Sequence, residues 1–388
     1  MHAAQDSTIF SSKPGPLFVW GRGRKGAKIG IFLLYIFMMG GAAIHLYRTP
    51  VYSMDSIQYM GNALLMEESD PVEIHRRVYS EVARAVPPRE RAGLLGHEAG
   101  APEDQNKSRQ ERAANAYRFA EFLPLFAIRP LYNQTLWVVS RSGLGLVRSG
   151  VLISVASYFG LGLLVFVWLG RYLNAGFSFA VAMLLMVSPP LTELGRDTTA
   201  DALATLVAFA ALYLIFAANR FTAGMVLLLA SIYFRTDFVV LAGPVILACW
   251  WERRLDLWKA GVLALVAVGS VLCINHFAGD YGIRMLYYRN FVGVPMAPGE
   301  MTVQFSGRDY RAALRSGVTL AANSFLLPFV LLGTMGVIAG RMRALYAVTM
   351  GYVGLHFMVL PNWQERWFGV FYLAMGVCAA SAVGAARE

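Results

Sequence analysis

Gly150–Leu169, GVLISVASYFGLGLLVFVWL, and Thr199–Ala218, TADALATLVAFAALYLIFAA, decide the fold class. Each is apolar on every side and long enough to cross a hydrocarbon core as a helix. Strands of a transmembrane barrel alternate apolar and polar residues, and these segments do not, so a barrel is excluded. Apolar runs of roughly 15–22 residues recur along most of the chain. Of 388 residues 57% are hydrophobic and 15% charged, with a mean hydropathy of +0.50, a balance that a water-soluble domain of this size does not keep. The expected fold is all-α, a polytopic α-helical membrane protein.

The first apolar run, Ile29 to Leu46, follows a basic cluster of Arg22, Arg24, Lys25 and Lys28. It is longer than the apolar core of a secretory signal, and no small-residue cleavage site follows, so it reads as an uncleaved anchor. Further spans are expected near 150–170, 177–191, 199–218, 222–234, 237–251, 258–277, 317–339, 344–361 and 366–385, giving about ten in all. With residues 1–27 cytoplasmic, the inner turns contain Arg171, Arg220, Arg253, Arg254, Lys259, Arg341, Arg343 and Arg387, in agreement with the positive-inside rule. Both termini are then cytoplasmic, and residues 28–386 form one transmembrane domain. The net charge of +10 comes largely from these span ends, which argues against a nucleic-acid surface. Cys249, Cys273 and Cys378 fall inside apolar runs without ligand spacing, so neither a disulfide framework nor a zinc site is indicated.

Two outer regions are long enough to carry function, residues 48–149 and 278–316. In the first, Ile74, Val78 and Val82 repeat every four residues, which suits an amphipathic helix lying on the membrane surface. The second is rich in Tyr, Gly and Arg. Its Tyr288 and Arg289, with Tyr281 and Tyr287, read either as a sugar-stacking surface or as interface anchors.

The positive-inside bias should deplete arginine from the short outer turns, yet these carry Arg196 with Asp197, Arg235 with Asp237, and Glu365 with Arg366. Charged groups at helix ends near a membrane face pair with one another or bind substrate, and the arginine fork suits a phosphate. Asp55 stands just past the first span and reads either as a helix N-cap, as does Ser56, or as a functional carboxylate. Arg129 precedes Pro130, a residue suited to the first position of a helix, and is either a snorkelling surface charge or a ligand-binding one. His356, alone in an apolar run, reads as a hydrogen bond to a neighbouring helix. The glycines from Gly143 to Gly150 precede no soluble βαβ unit and do not form a nucleotide loop. Asn106 and Asn133 stand in glycosylation sequons, relevant only in a host that modifies that compartment.

The order of these features resembles the GT-C superfamily of polytopic glycosyltransferases. An outer Asp-Ser-x-x-x-Tyr, Asp55 to Tyr59, follows the first span, and Arg-Pro-Leu-Tyr, Arg129 to Tyr132, closes the first outer loop. Pro-Pro and Arg-Asp, from Pro189 to Asp197, precede the fourth span, Arg-Thr-Asp breaks a hairpin at Arg235 to Asp237, and Arg366-Trp367-Phe368 opens the last span. The resemblance implies transfer of a sugar from a polyprenyl-phosphate carrier to a lipid, glycan or protein acceptor on the outer face of a membrane, for this chain the bacterial inner membrane. Asp55 is then the base that takes the acceptor proton. Arg235 and Arg366, followed by Arg196 and Arg129, bind the donor phosphate, and Tyr59, Asp197, Asp237, Tyr288 and Arg289 contact substrate. A single displacement inverts the anomeric centre; no second catalytic carboxylate stands beside Asp55. Two departures are evident: Ser56 follows Asp55 where many members carry a second acidic residue, and no soluble domain follows the last span. No metal ligand set is indicated, and a divalent cation is the one cofactor the resemblance leaves open. A membrane transporter or lipid flippase is the competing reading; it calls for broken helices and polar residues at mid-membrane depth.

Overall fold

The computed structural model describes residues 25–281, 306–339 and 342–385. Every regular element among them is helical, and the one strand-like feature is an isolated parallel bridge between Val51 and Asp197. The helices are α1 (Lys25–Arg48), α2 (Met54–Leu64), α3 (Pro71–Ala85), α4 (Pro88–Leu94), α5 (Glu103–Ala114), α6 (Ala116–Phe122), α7 (Pro124–Ala127), α8 (Pro130–Val139), α9 (Leu146–Leu169) and α10 (Ala175–Met186). They continue with α11 (Pro189–Arg196), α12 (Asp201–Phe216), α13 (Phe221–Phe234), α14 (Val239–Trp251), α15 (Leu257–Phe277), α16 (Gly307–Ala322), α17 (Leu326–Ile338), α18 (Arg343–Val359) and α19 (Gly369–Ala385).

Four helical stretches among the described residues are long and apolar enough to cross a membrane: Gly26–Arg48, Leu146–Leu169, Leu257–Phe277 and Glu365–Val383. The number rises to six if each of two bent pairs is one span. In the first pair, α10 and α11 meet at 66°, because Pro189 and Pro190 cannot continue a helix and instead open a new one. In the second, α16 and α17 meet at 68° across residues 323–325, so the stretch expected as one span over 317–339 is broken. Outward faces are apolar: Phe37, Leu184, Leu265 and Ile338 are each more than 70% exposed. A surface of that kind is solvated by lipid rather than water.

The larger core centres on α9, α12 and α19. Tyr35 donates its hydroxyl to the Gly162 carbonyl and Tyr158 to that of Met186, both at 2.7 Å, so these buried rings leave no polar atom unsatisfied. Gly333 and Gly336 allow α17 to lie directly on α19, since a Cβ on Gly336 would overlap the Cys378 backbone. Close backbone approach through small residues is how helices associate where lipid removes the hydrophobic drive.

A second, smaller core is built by the region after α1. Ile74, Val78 and Val82 of α3 are buried with Ile57, Tyr59 and Phe119. The amphipathic stripe therefore seals a helical cap formed with α2, α6 and α8, so the face that its periodicity assigned to the membrane surface is covered by protein. A four-residue repeat specifies a covered face but not what covers it.

Substituting Gly336→Ala is expected to destabilise the protein by about 1–3 kcal/mol, because backbone has to move to admit a methyl group. A melting temperature in detergent equal to that of the wild type would show that the α17–α19 contact is looser than described.

Candidate functional site

The site begins with a backbone staple. Val51 N donates to the Arg196 carbonyl at 2.9 Å and Thr198 N donates to the Val51 carbonyl at 3.2 Å. Ser56 Oγ adds a bond to the Thr198 carbonyl at 2.9 Å. These contacts fix the first turn of α2 against the turn between α11 and α12. The N-cap of α2 is Ser53, whose Oγ accepts from Asp55 N at 3.2 Å. Neither Asp55 nor Ser56 serves as the cap, so the Asp55 carboxylate is available for a longer-range partner.

That partner is Arg366, on the short 3-10 turn that opens the last helix. Its Nη2 lies 3.2 Å from Asp55 Oδ2, its Nη1 bonds Asp197 Oδ2, and its Nε lies 3.4 Å from Asp201 Oδ2 and donates to Gln364 Oε1 at 3.1 Å. Stacking of Trp363 on Phe368, with centroids 4.0 Å apart, and the bond from Tyr352 Oη to the Trp367 carbonyl hold this turn in place.

Asp201 carries the network on to Arg235, whose Nη1 is 3.1 Å from Asp201 Oδ1. Arg235 Nε donates to Asp237 Oδ1 at 2.8 Å, and Asp237 Oδ2 lies 3.0 Å from His356 Nε2. The Arg235 guanidinium is covered by the Phe238 and Trp367 rings at 5.6 and 5.8 Å and is buried. Each group sits near a helix end: the start of α2, the turn before α12, the break between α13 and α14, the last turn of α18 and the entry to α19. The chain of charges consequently runs across one end of the bundle.

Of the residues expected from sequence, Asp55, Asp197, Asp237, Arg235 and Arg366 share this network. Arg129 and Tyr59 stand beside it. The Tyr59 ring lies 4.8 Å from that of Tyr132 and 5.3 Å from both that of Phe126 and the Arg129 guanidinium carbon. With its ring buried among these groups, Tyr59 positions Arg129 rather than offering itself to a ligand. The Arg129 guanidinium makes no ion pair or hydrogen bond among the described residues, and its buried Nε has no acceptor there. Arg235 and Arg366, expected first among the phosphate-binding cations, are engaged by carboxylates, whereas the Arg129 guanidinium has no ion pair or hydrogen bond among the described residues. Arg196 donates its Nε to the Thr49 carbonyl at 2.7 Å and joins no ion pair among the described residues. Tyr288 and Arg289 lie outside the described residues.

Sequence reasoning missed Asp201. Its signal was a carboxylate inside an otherwise apolar run, four residues after Asp197, a position where an ionisable group is expensive unless paired. His356 bonds a group on another helix, as expected, but that group belongs to the network. Among the described residues no three His, Cys, Asp or Glu are arranged to hold a metal ion. The Arg366 guanidinium occupies the middle of the carboxylates. Beside α2 lies a small cavity of about 20 Å³, room for one water, lined by Ser56, Tyr59, Tyr132 and Thr198 among others.

Burial pushes the Asp197 carboxyl up to about 7; Arg366 pulls it down, while Asp201 and Asp55 push it further up. Because the folded value exceeds the ordinary one, the fold holds this proton where the unfolded chain has lost it. That contribution is complete at acid pH and disappears as pH rises through about 7. The melting temperature in detergent should therefore fall between pH 5 and 8, and Asp197→Asn should flatten that limb. Identical pH profiles for both proteins would place the carboxyl in its ionised form throughout.

In comparisons with known proteins, no family model, no curated protein and no solved structure matches the chain.

Proposed function

We propose that the protein is a multi-pass membrane glycosyltransferase of GT-C type, with about ten spans, both termini cytoplasmic and its charged network at the outer face of a bacterial inner membrane. It moves a sugar from a polyprenyl-phosphate donor to a lipid, glycan or protein acceptor. The observation that carries this reading is that a carboxylate released from capping, Asp55, and a cation without an ion pair among the described residues, Arg129, are both delivered to α2, Arg129 through its contact with the Tyr59 ring.

The chemistry divides between them. As the acceptor oxygen attacks the anomeric carbon, its proton passes to the Asp55 carboxylate. The bond from the anomeric carbon to the phosphate oxygen breaks with its electrons going to the phosphate, and the growing negative charge is met by Arg129. Arg366 orients Asp55 through Oδ2 and Arg235 neutralises Asp201 and Asp237, so both act as positioning residues. One displacement inverts the anomeric centre.

A second reading, a proton-coupled transporter or flippase, draws on two observations. The groups from His356 through Asp237, Arg235, Asp201 and Arg366 to Asp197 form a continuous ionisable chain, and two helix pairs are sharply bent. The two readings separate on one comparison: labelled polyprenyl-phosphate sugars turned over by purified protein, against proton-driven uptake into proteoliposomes.

Asp55→Asn is expected to abolish sugar transfer while leaving the melting temperature near that of the wild type, since the amide still accepts from Arg366. Full turnover by this variant would remove Asp55 as the base. Arg129→Gln is expected to weaken donor binding roughly 10–100-fold, the worth of a hydrogen bond to a charged group, with Arg129→Lys intermediate. Unchanged donor affinity in both would sink the phosphate role of Arg129.

A further inference from the structure

The helix α16 takes no part in the network, yet it is tied to the segment that carries it. It opens with a capping box: Ser306 Oγ accepts from Asp309 N at 3.3 Å, and Asp309 Oδ2 accepts from Ser306 N at 3.1 Å. Three contacts then fasten one side of it in step to residues 358–365. Tyr310 Oη donates to the Met358 carbonyl at 2.8 Å, Gly317 rests on the Pro361 backbone, and Phe325 N, just past the helix, donates to Glu365 Oε1 at 3.0 Å. The helix consequently lies along the end of the bundle where Arg366 sits, before the chain turns 68° into α17.

The opposite side of α16 carries Arg308, Arg311 and Arg315, spaced i, i+3 and i+7 and all exposed. That spacing puts the three guanidiniums within one stripe about 60° wide on a helix of 3.6 residues per turn. Apart from the bond of Arg311 Nε to the Gly307 carbonyl, within the helix itself, none of the three has a hydrogen-bond or ion-pair partner among the described residues. Further along, the exposed residues become apolar: Val318 and Leu320, then Leu327, Leu331 and Ile338 on α17. A helix lying flat at the bundle end, cationic in its first half and leading into an apolar outward face, has the profile of an element at the boundary between headgroups and hydrocarbon.

We propose that Arg308, Arg311 and Arg315 form a docking site for the phosphate groups of anionic phospholipids, on the same bilayer face as the candidate site. Charge complementarity selects this occupant, and the continuous apolar surface of α17 places the acyl chains. The inference rests on the membrane-spanning reading and not on sugar transfer, so its test requires no turnover.

The full-length protein, reconstituted in nanodiscs of mixed phosphatidylglycerol and phosphatidylcholine and released in the mass spectrometer, should retain phosphatidylglycerol selectively. The triple variant R308Q/R311Q/R315Q should lose about tenfold of that retention, the triple Lys variant should keep most of it, and the single change Arg311→Gln should lose part. Melting temperatures in lipid-free detergent should be the same for all four, because the stripe holds no protein partner among the described residues. The proposal is overturned if the triple Gln variant retains the wild-type amount, or if phosphatidylcholine is retained equally well. Displacement of the lipid by millimolar inorganic phosphate would likewise overturn it, in favour of a free-anion site.

Discussion

Asp201 is the constraint on which the arrangement depends. It lies at the start of α12, its side chain is 5% exposed, and its two oxygens face two different guanidiniums, Arg235 and Arg366. An ionised group in so dry a place is costly unless paired, and removing one partner of a buried pair costs about 3–5 kcal/mol. Each arginine depends in turn on further carboxylates, Arg235 on Asp237 and Arg366 on Asp55 and Asp197. The helix ends that deliver these groups are distant in sequence, and the mutual pairing of their charges holds them in one place. Thr199 Oγ1 supports the arrangement by donating to Asp201 Oδ2 at 3.0 Å.

The balance within the network also has a direction. Among the described residues four carboxylates, Asp55, Asp197, Asp201 and Asp237, face two engaged guanidiniums, Arg235 and Arg366, and His356 bonds Asp237. Burial, with the neighbouring Asp201 and Asp55, holds the Asp197 carboxyl above the usual carboxylate range, against the pull of Arg366. Arg235 and Arg366 hold the carboxylates in position and their burial ties them to that task, whereas Arg129 joins no ion pair among the described residues.

The sequence disclosed the helical class because a chain in lipid must satisfy its backbone internally, and runs such as Gly150–Leu169 admit no other solution. It also disclosed Arg235 with Asp237, Asp197 beside Arg196, and Arg366, because arginine breaks the expected pattern of short outer turns; Asp55 was legible only as either a helix cap or a functional carboxylate. Three things were not legible. The stripe of Ile74, Val78 and Val82 shows that a face is covered but cannot distinguish lipid from the neighbouring α6. The rank of the arginines depends on which carboxylates they meet, and Asp201, the residue that engages two of them, is concealed within an apolar span. The break at residues 323–325, in contrast, is foreshadowed by Pro328, whose ring and missing N–H cannot continue a helix from Ser324; the bond from Phe325 N to Glu365 Oε1, some forty residues away, fixes its place.

The staple between Val51 and the Arg196–Thr198 turn has a mechanical consequence. Asp55 lies four residues beyond Val51, on a helix pinned at its first turn by two backbone bonds and by Ser56. Any shift of α2 would unzip those bonds together and carry the carboxylate off its guanidinium in the same movement. The seating of the helix and the alignment of the acid thus behave as one mechanical unit.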